Sequence, residues 1–182
     1  VIPIQLPIGE EKSFKGVVDL VSKKAFIFKT DESGTFTATE VPADMTAAVD
    51  AAREALIEMV AEADEKLMER FFEVGSLTDE ELVAGLRSAT MAGKMFPLVC
   101  TSALLNIGVP QLLDAIVAYL PSPADREFKG IDRDGAGMTR GANEKGPAAA
   151  FVWKTIADPF AGRITLFRVV SGSRCSASCP VR

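Results

Sequence analysis

The sequence predicts a mixed fold, α+β with an α/β element. Three observations carry this. Short apolar runs of strand character crowd both ends of the chain. Between them lies a long helical pattern with an acidic outside. A third segment, 96–120, has the order strand, loop, helix, the unit from which parallel sheets are built.

Taken in order, Val1–Leu6 is an apolar run with Pro3 inside it, an edge strand or a strand start. Gly9–Lys12 is turn-like. Gly16–Val21 and Lys24–Lys29 are two strands joined at Ser22 and Lys23. Asp31–Gly34 is a loop, and Phe36–Val41 is a further strand. Met45–Phe72 is expected as one long helix. Its Val49, Ala52, Leu56, Val60, Ala63, Leu67 and Phe71 recur three or four residues apart and share a face. Thr78 with Glu81 three residues on is a capping box that opens a second helix, with Leu82, Leu86 and Ala89 as its apolar stripe.

Phe96–Cys100 is expected as a buried strand of parallel type, standing alone without sheet partners. A loop through Asn106 and Gly108 leads to a helix over Val109–Leu120, with Val109, Leu112, Leu113, Ile116 and Leu120 on its core face. Pro121-Ser122-Pro123 stops that helix. Ala124–Pro147 has five glycines and no periodicity, and is expected as a linker or mobile loop. Ala148–Thr155 and Ile164–Val170 are strands around a turn at Asp158–Gly162. Two strands make no independent domain, so they are expected to open a β-domain whose remainder is absent. Trp153 is expected in its core, the alternative being a binding platform. The turn at Pro159 and Phe160 exposes a ring or packs it back. The start on Val1 suggests a piece cut from a longer protein, or an incomplete sequence.

The chain has 182 residues, of which 48% are hydrophobic and 25% charged, the composition of a globular domain. With no histidine it carries no Ser-His-Asp, Cys-His or histidine-metal site. Acid–base work would fall to carboxylates, lysine, cysteine or the one tyrosine. Three cysteines are too few for a disulfide framework, which favours a reducing cytoplasm. No signal peptide and no apolar run of spanning length occur.

The net charge of −5 is split. Residues Glu40–Leu82 hold 13 acids and 3 bases, a net of −10, and the rest carries +5. Such a lobe repels nucleic acid and attracts a basic protein surface, unless it is only a solvated helix face.

Chemistry-bearing motifs are sparse. There is no P-loop and no Asn-Lys-x-Asp. The D-x-x-G matches at Asp31–Gly34 and Asp132–Gly135 fit plain turns. Cys175 and Cys179, spaced C-x3-C, cannot complete a zinc site with Cys100 alone. Asp64 and Glu65 lie in a helical pattern without a calcium loop, so no metal site is expected.

Four stretches together resemble bacterial-type elongation factor G. Val1–Gly9 (VIPIQLPIG) with Phe14–Leu20 (FKGVVDL) is similar to the start of that family's insert in the GTPase domain. Ala61–Glu69 (AEADEKLME) is similar to the insert's long acidic helix. Pro97–Ala103 (PLVCTSA), Asn106, Gly108-Val109, Leu112–Ile116 (LLDAI) and Tyr119–Pro123 (YLPSP) resemble the end of the GTPase domain. Phe151–Thr155 (FVWKT), Asp158–Phe160 (DPF), Gly162–Arg168 (GRITLFR) and Ser171-Gly172 resemble the opening strands of the second domain. Arg174–Arg182 departs from the family's continuation into that barrel.

The resemblance implies an insert at 1–95, the last strand and helix of a P-loop-type GTPase domain at 96–123, a linker at 124–147, and a truncated β-barrel start at 148–182. It implies a translational GTPase that promotes ribosomal translocation. GTP or GDP with magnesium would bind the intact protein. The phosphate loop, switches and Asn-Lys-x-Asp would lie upstream of Val1. The fragment alone is therefore expected to hold no cofactor, to bind GTP weakly and not to hydrolyse it. By resemblance, the Ala103 amide faces guanine O6, Ser102 shapes the loop and Leu104 lies beside the base. The implied partners are the ribosome and its stalk protein, met by the acidic insert through Glu54, Glu58, Glu62 and Glu65. No membrane and no direct DNA binding are expected. The alternative is an acidic, non-catalytic module for a basic protein partner. A carboxylate-based hydrolase ranks last, because no acid pair sits in a recognisable cleft motif.

Overall fold

Residues 1–131 and 134–172 are described by a computed structural model. They mix α and β structure in two units, Val1–Leu120 and Pro121–Arg182. Among the described residues no helix is long and apolar enough to cross a membrane.

The first unit opens with Ile2–Pro3 (β1). Gln5–Ile8 (β2), Gly16–Asp19 (β3), Lys24–Phe28 (β4) and Phe36–Thr39 (β5) then form an antiparallel meander in that order. The β3–β4 turn is locked by Asp19, whose Oδ1 accepts from the Ser22 amide (2.7 Å) and hydroxyl (2.8 Å). Three helices follow: Thr46–Glu62 (α1), Glu65–Val74 (α2) and Asp79–Met91 (α3). Pro97–Leu98 (β6) and Val109–Tyr119 (α4) complete the unit. Ile2, Ile4, Val18 and Leu20 meet Val49, Leu56 and Val60 of α1 and Leu82 and Leu86 of α3 in one core. Each such side chain contributes about 1.5–3 kcal/mol by leaving water.

The single helix expected over Met45–Phe72 is two helices. Asp64 has extended backbone, φ −141° and ψ 127°. Its carboxylate accepts from the amides of Lys66 (2.9 Å) and Leu67 (3.3 Å). An aspartate satisfies free amides at a helix start better than it serves a helix interior, so the chain breaks and restarts there. The apolar periodicity runs unbroken through the break, which hid it.

The capping box stands as expected. Thr78 Oγ1 accepts from the Glu81 amide (3.2 Å), and Glu81 Oε2 accepts from the Thr78 amide (2.9 Å). Leu82, Leu86 and Ala89 are buried. Thr78→Ala is expected to cost about 1 kcal/mol in urea unfolding. The Thr78 amide holds the Glu81 carboxyl below its ordinary value of 4.5. The Glu81 contribution is thus present above that value and is lost as pH falls through the lower folded one. Stability should drop in acid, and Glu81→Gln should flatten the drop. A Thr78→Ala protein as stable as wild type at neutral pH contradicts the cap.

Two further expectations do not hold. β6 does not stand alone: it pairs in parallel with β1, Ile2 against Pro97 and Pro3 against Leu98. It is covered on one face only. Met95 and Val99 pack on the core, while Phe96 and Leu98 alternate outward. The helix α4 presents a different face from the one expected. Gln111 and Tyr119 are buried, with Ala115 and Ala118 partly buried against the core, whereas Leu113, Ile116 and Leu120 are exposed. The alanines allow close approach to α3, where Arg87 Nη1 donates to the Ala118 carbonyl at 2.9 Å. Hydropathy alone marks the leucine face as the inner one.

In the second unit Phe128–Ile131 (β7) and Gly137–Arg140 (β8) form an antiparallel hairpin in the stretch expected to be linker. Ala149–Asp158 (β9) and Gly162–Ser171 (β10) form a longer one. The Asp158 carboxylate organises its turn, accepting from the amides of Phe160 (2.9 Å) and Ala161 (2.6 Å). Trp153 is not in a core: it is 59% exposed, and Phe151, Val152 and Ile156 are exposed too. A two-stranded ribbon has two faces, and alternation cannot bury both. The Phe160 ring is 99% exposed at the turn. Asp132 and Arg133 of the second D-x-x-G match, Cys175, Cys179 and the 174–182 tail lie outside the described residues.

Candidate nucleotide loop and acidic face

β6 leads through 101–108 into α4. Two backbone bonds close this loop: the Ser102 amide donates to the Ile107 carbonyl (2.9 Å), and the Ile107 amide donates back to the Ser102 carbonyl (3.0 Å). Inside it, the Asn106 amide donates to the Ala103 carbonyl (3.4 Å) and the Leu105 amide to Ser102 Oγ (3.4 Å). Asn106 takes the left-handed conformation at φ 52°, which asparagine tolerates better than most residues. Gly108, at φ 73°, caps α4, and Pro110 sits in its first turn. Each residue type suits its place in the turn.

Of the three residues singled out from the sequence, Ser102 falls at the loop's closure and Ala103 and Leu104 at its tip. Ser102 is half-buried and shapes the turn, Ala103 is exposed, and Leu104 is 84% exposed. The Ala103 amide has no hydrogen-bond acceptor among the described residues. An exposed, unpartnered amide at the tip of a closed turn suits an acceptor oxygen on a ligand.

The loop is tied at both ends. Gln5 is 3% exposed. Its Oε1 accepts from the Cys100 amide (3.2 Å), and Cys100 Sγ lies 3.9 Å from the Gln5 carbonyl, to which it donates. Asn106 Nδ2 donates to the Glu32 carbonyl (3.3 Å) in the β4–β5 loop. Gly34, at φ 72°, allows that approach, since a β-carbon there would collide with the Asn106 amide group. Sequence reading missed both ties. The available signal was a glutamine inside an otherwise apolar run.

The groups left for acid–base work are structural. Burial raises the Cys100 thiol above its ordinary value. Burial, with the Asp19 charge nearby, pushes the Tyr119 phenol up to about 12. Neither is ionised near neutrality. Asp31 accepts from the Ser33 hydroxyl (2.6 Å) and amide (3.1 Å), which holds its carboxyl below the usual range; this D-x-x-G match is a turn. Among the described residues no three His, Cys, Asp or Glu side chains are placed to hold a metal ion.

Glu54, Glu58 and Glu62 follow at four-residue intervals along α1, and all are exposed. Glu65 lies beyond the break as the first residue of α2. The four acids therefore belong to two helices rather than one. The lobe's bases Arg53 and Arg70 pair with Asp79 and Glu81. Glu54, Glu58, Glu62 and Glu65 make no ion pair among the described residues.

No family model matches the chain. Among solved structures it is similar to ttk003000868 of Thermus thermophilus, known from its crystal structure. The match covers 94% of this chain with a TM-score of 0.71 at 30% identity. The chain spans 23% of the length of that protein.

Proposed function

We propose that this chain is part of an elongation-factor-G-like translational GTPase that promotes ribosomal translocation in the cytoplasm. The observation that carries the reading is the 101–108 loop: a closed turn between a parallel strand and a helix, with the Ala103 amide unpartnered at its tip. A donor there favours guanine, whose O6 accepts, over adenine, whose amino group donates. Ser102 holds the turn and Leu104 flanks the base. The parts are an insert at 1–95, the closing strand and helix of a GTPase domain at 96–123, and a connection into the opening strands of a β-barrel at 148–182. The order of the elongation-factor-like stretches supports this, as does the likeness to a much longer chain.

GTP or GDP with magnesium is the implied ligand of the intact protein. Of its parts, only the guanine edge meets residues of this chain; phosphate and magnesium would be held by upstream segments. When bound, the nucleotide supplies the hydrolysable phosphate bond, and this chain supplies base selection.

Two measurements test the reading. Titrated alone, this chain is expected to show no micromolar affinity for GTP. The complete gene product is expected to bind GDP and to hydrolyse GTP when ribosomes are added. In it, Ala103→Pro deletes the amide and should weaken GDP binding roughly tenfold, the cost of leaving O6 unpaired. A complete product indifferent to guanine nucleotides sinks the proposal. It would leave the second reading, an acidic module for a basic partner, which the unpaired glutamates of α1 favour.

A further inference from the structure

We propose that Gln5 and Asn106 are positioning residues for the Ser102–Ala103 loop, so that the four-stranded sheet of the insert sets the shape of the base-reading turn. The role in base reading rests on the function proposed above; the mechanical tie does not.

The parallel ladder between β1 and β6 is interrupted. The amide of Ile2 donates to Phe96 and that of Ile4 to Leu98, both at 3.0 Å. Continued in parallel, the next rung would take the Cys100 amide to the Ile4 carbonyl. That carbonyl already accepts from Leu20 at 3.0 Å, because the chain is turning into the β2–β3 sheet. Gln5 fills the vacated place: its buried side-chain oxygen accepts the Cys100 amide. Its own backbone is held in β2, in register with Asp19 of β3. Cys100 is the last residue before the loop, so the loop's near limb hangs from a side chain of the insert sheet. Its far limb hangs from the β4–β5 loop of the same sheet, through Asn106 and Glu32. One tie lies just outside the Ser102–Ile107 closure, at Cys100, and the other just inside it, at Asn106; neither touches the tip.

The variants follow from that geometry. Gln5→Met keeps length and removes the acceptor, whereas Gln5→Glu keeps an acceptor oxygen. Asn106→Gly keeps the left-handed backbone and removes only the donor to Glu32. Hydrogen exchange in this chain reads the mechanical part. Gln5→Met and Asn106→Gly should each speed exchange at the Ser102 and Ile107 amides about tenfold, and Gln5→Glu should restore protection. The amides of Leu82 and Leu86 in α3 should not change, which separates a loosened loop from a weakened fold.

In the complete gene product, Gln5→Met should raise the Kd for fluorescent GDP about tenfold and narrow the preference for GDP over ADP, with Gln5→Glu close to wild type. Unchanged exchange at Ser102 and Ile107 overturns the proposal. So does a loosened loop with unchanged GDP affinity. A wild-type product that binds no guanine nucleotide overturns the proposed function instead. If Gln5→Met does not fold, Asn106→Gly decides by the same readings.

Discussion

Gly108→Val is expected to open the 101–108 loop and to destabilise the first unit by roughly 3 kcal/mol or more. Two costs combine. At φ 73° the backbone is left-handed, and a β-branched residue is a strong outlier there. A β-carbon at this position would also lie well inside van der Waals contact distance of the Cys100 carbonyl oxygen. That oxygen is backbone in a tied segment, so it cannot turn aside as a side chain would. Relief requires α4 or the end of β6 to shift, and β6 pairs with β1 over only two residues. Denaturant unfolding followed by far-UV circular dichroism measures the loss. A midpoint equal to wild type would show that the loop adopts another shape.

The second large effect is electrostatic. Changing Glu54, Glu58, Glu62 and Glu65 to lysine adds two charges at each step and takes the lobe from −10 to −2. All four are exposed and unpaired among the described residues, so the fold should tolerate the change. On the proposed function, the association rate of the complete gene product with the basic C-terminal domain of the ribosomal stalk protein should fall about a hundredfold at low salt, because charge complementarity acts mainly on encounter. The gap should close as salt shortens the Debye length to about 3 Å near 1 M. Stopped-flow binding at several ionic strengths gives both quantities. Equal rates at low salt would mean that the acids only solvate the helices. Glu65 tested separately from the α1 row would show whether both helices face the partner.

Where the fold was legible in the sequence, the deciding interaction was local. The Thr78–Glu81 box, the Asp31 turn and the Asp158 turn each rest on a side chain meeting backbone two or three residues away. Where it was not, the answer depended on what lies opposite. Nothing within Val109–Leu120 tells that alanines rather than leucines face α3. Nothing around Trp153 tells that its ribbon leaves both faces open. Asp64 is intermediate: its capping signal is local, but an unbroken apolar stripe masked it. The candidate site divides in the same way. Ser102 and Ala103 were reached through family likeness, while Gln5 acts on a residue 95 positions away and has no local signature.

The parallel pairing of β1 with β6 also bears on the order of folding. Ile2 and Pro97 meet only after the whole intervening crossover, the sheet of β2–β5 and three helices, has been made. Joining segments so far apart carries a closure entropy that nearer contacts must first offset, so this pairing belongs to the late, slow part of folding. During synthesis the meander and the first helices emerge and can condense while residues 96–108 are still inside the ribosome. The turn that would discriminate bases is therefore expected to close late, together with α4, against the meander and the first helices.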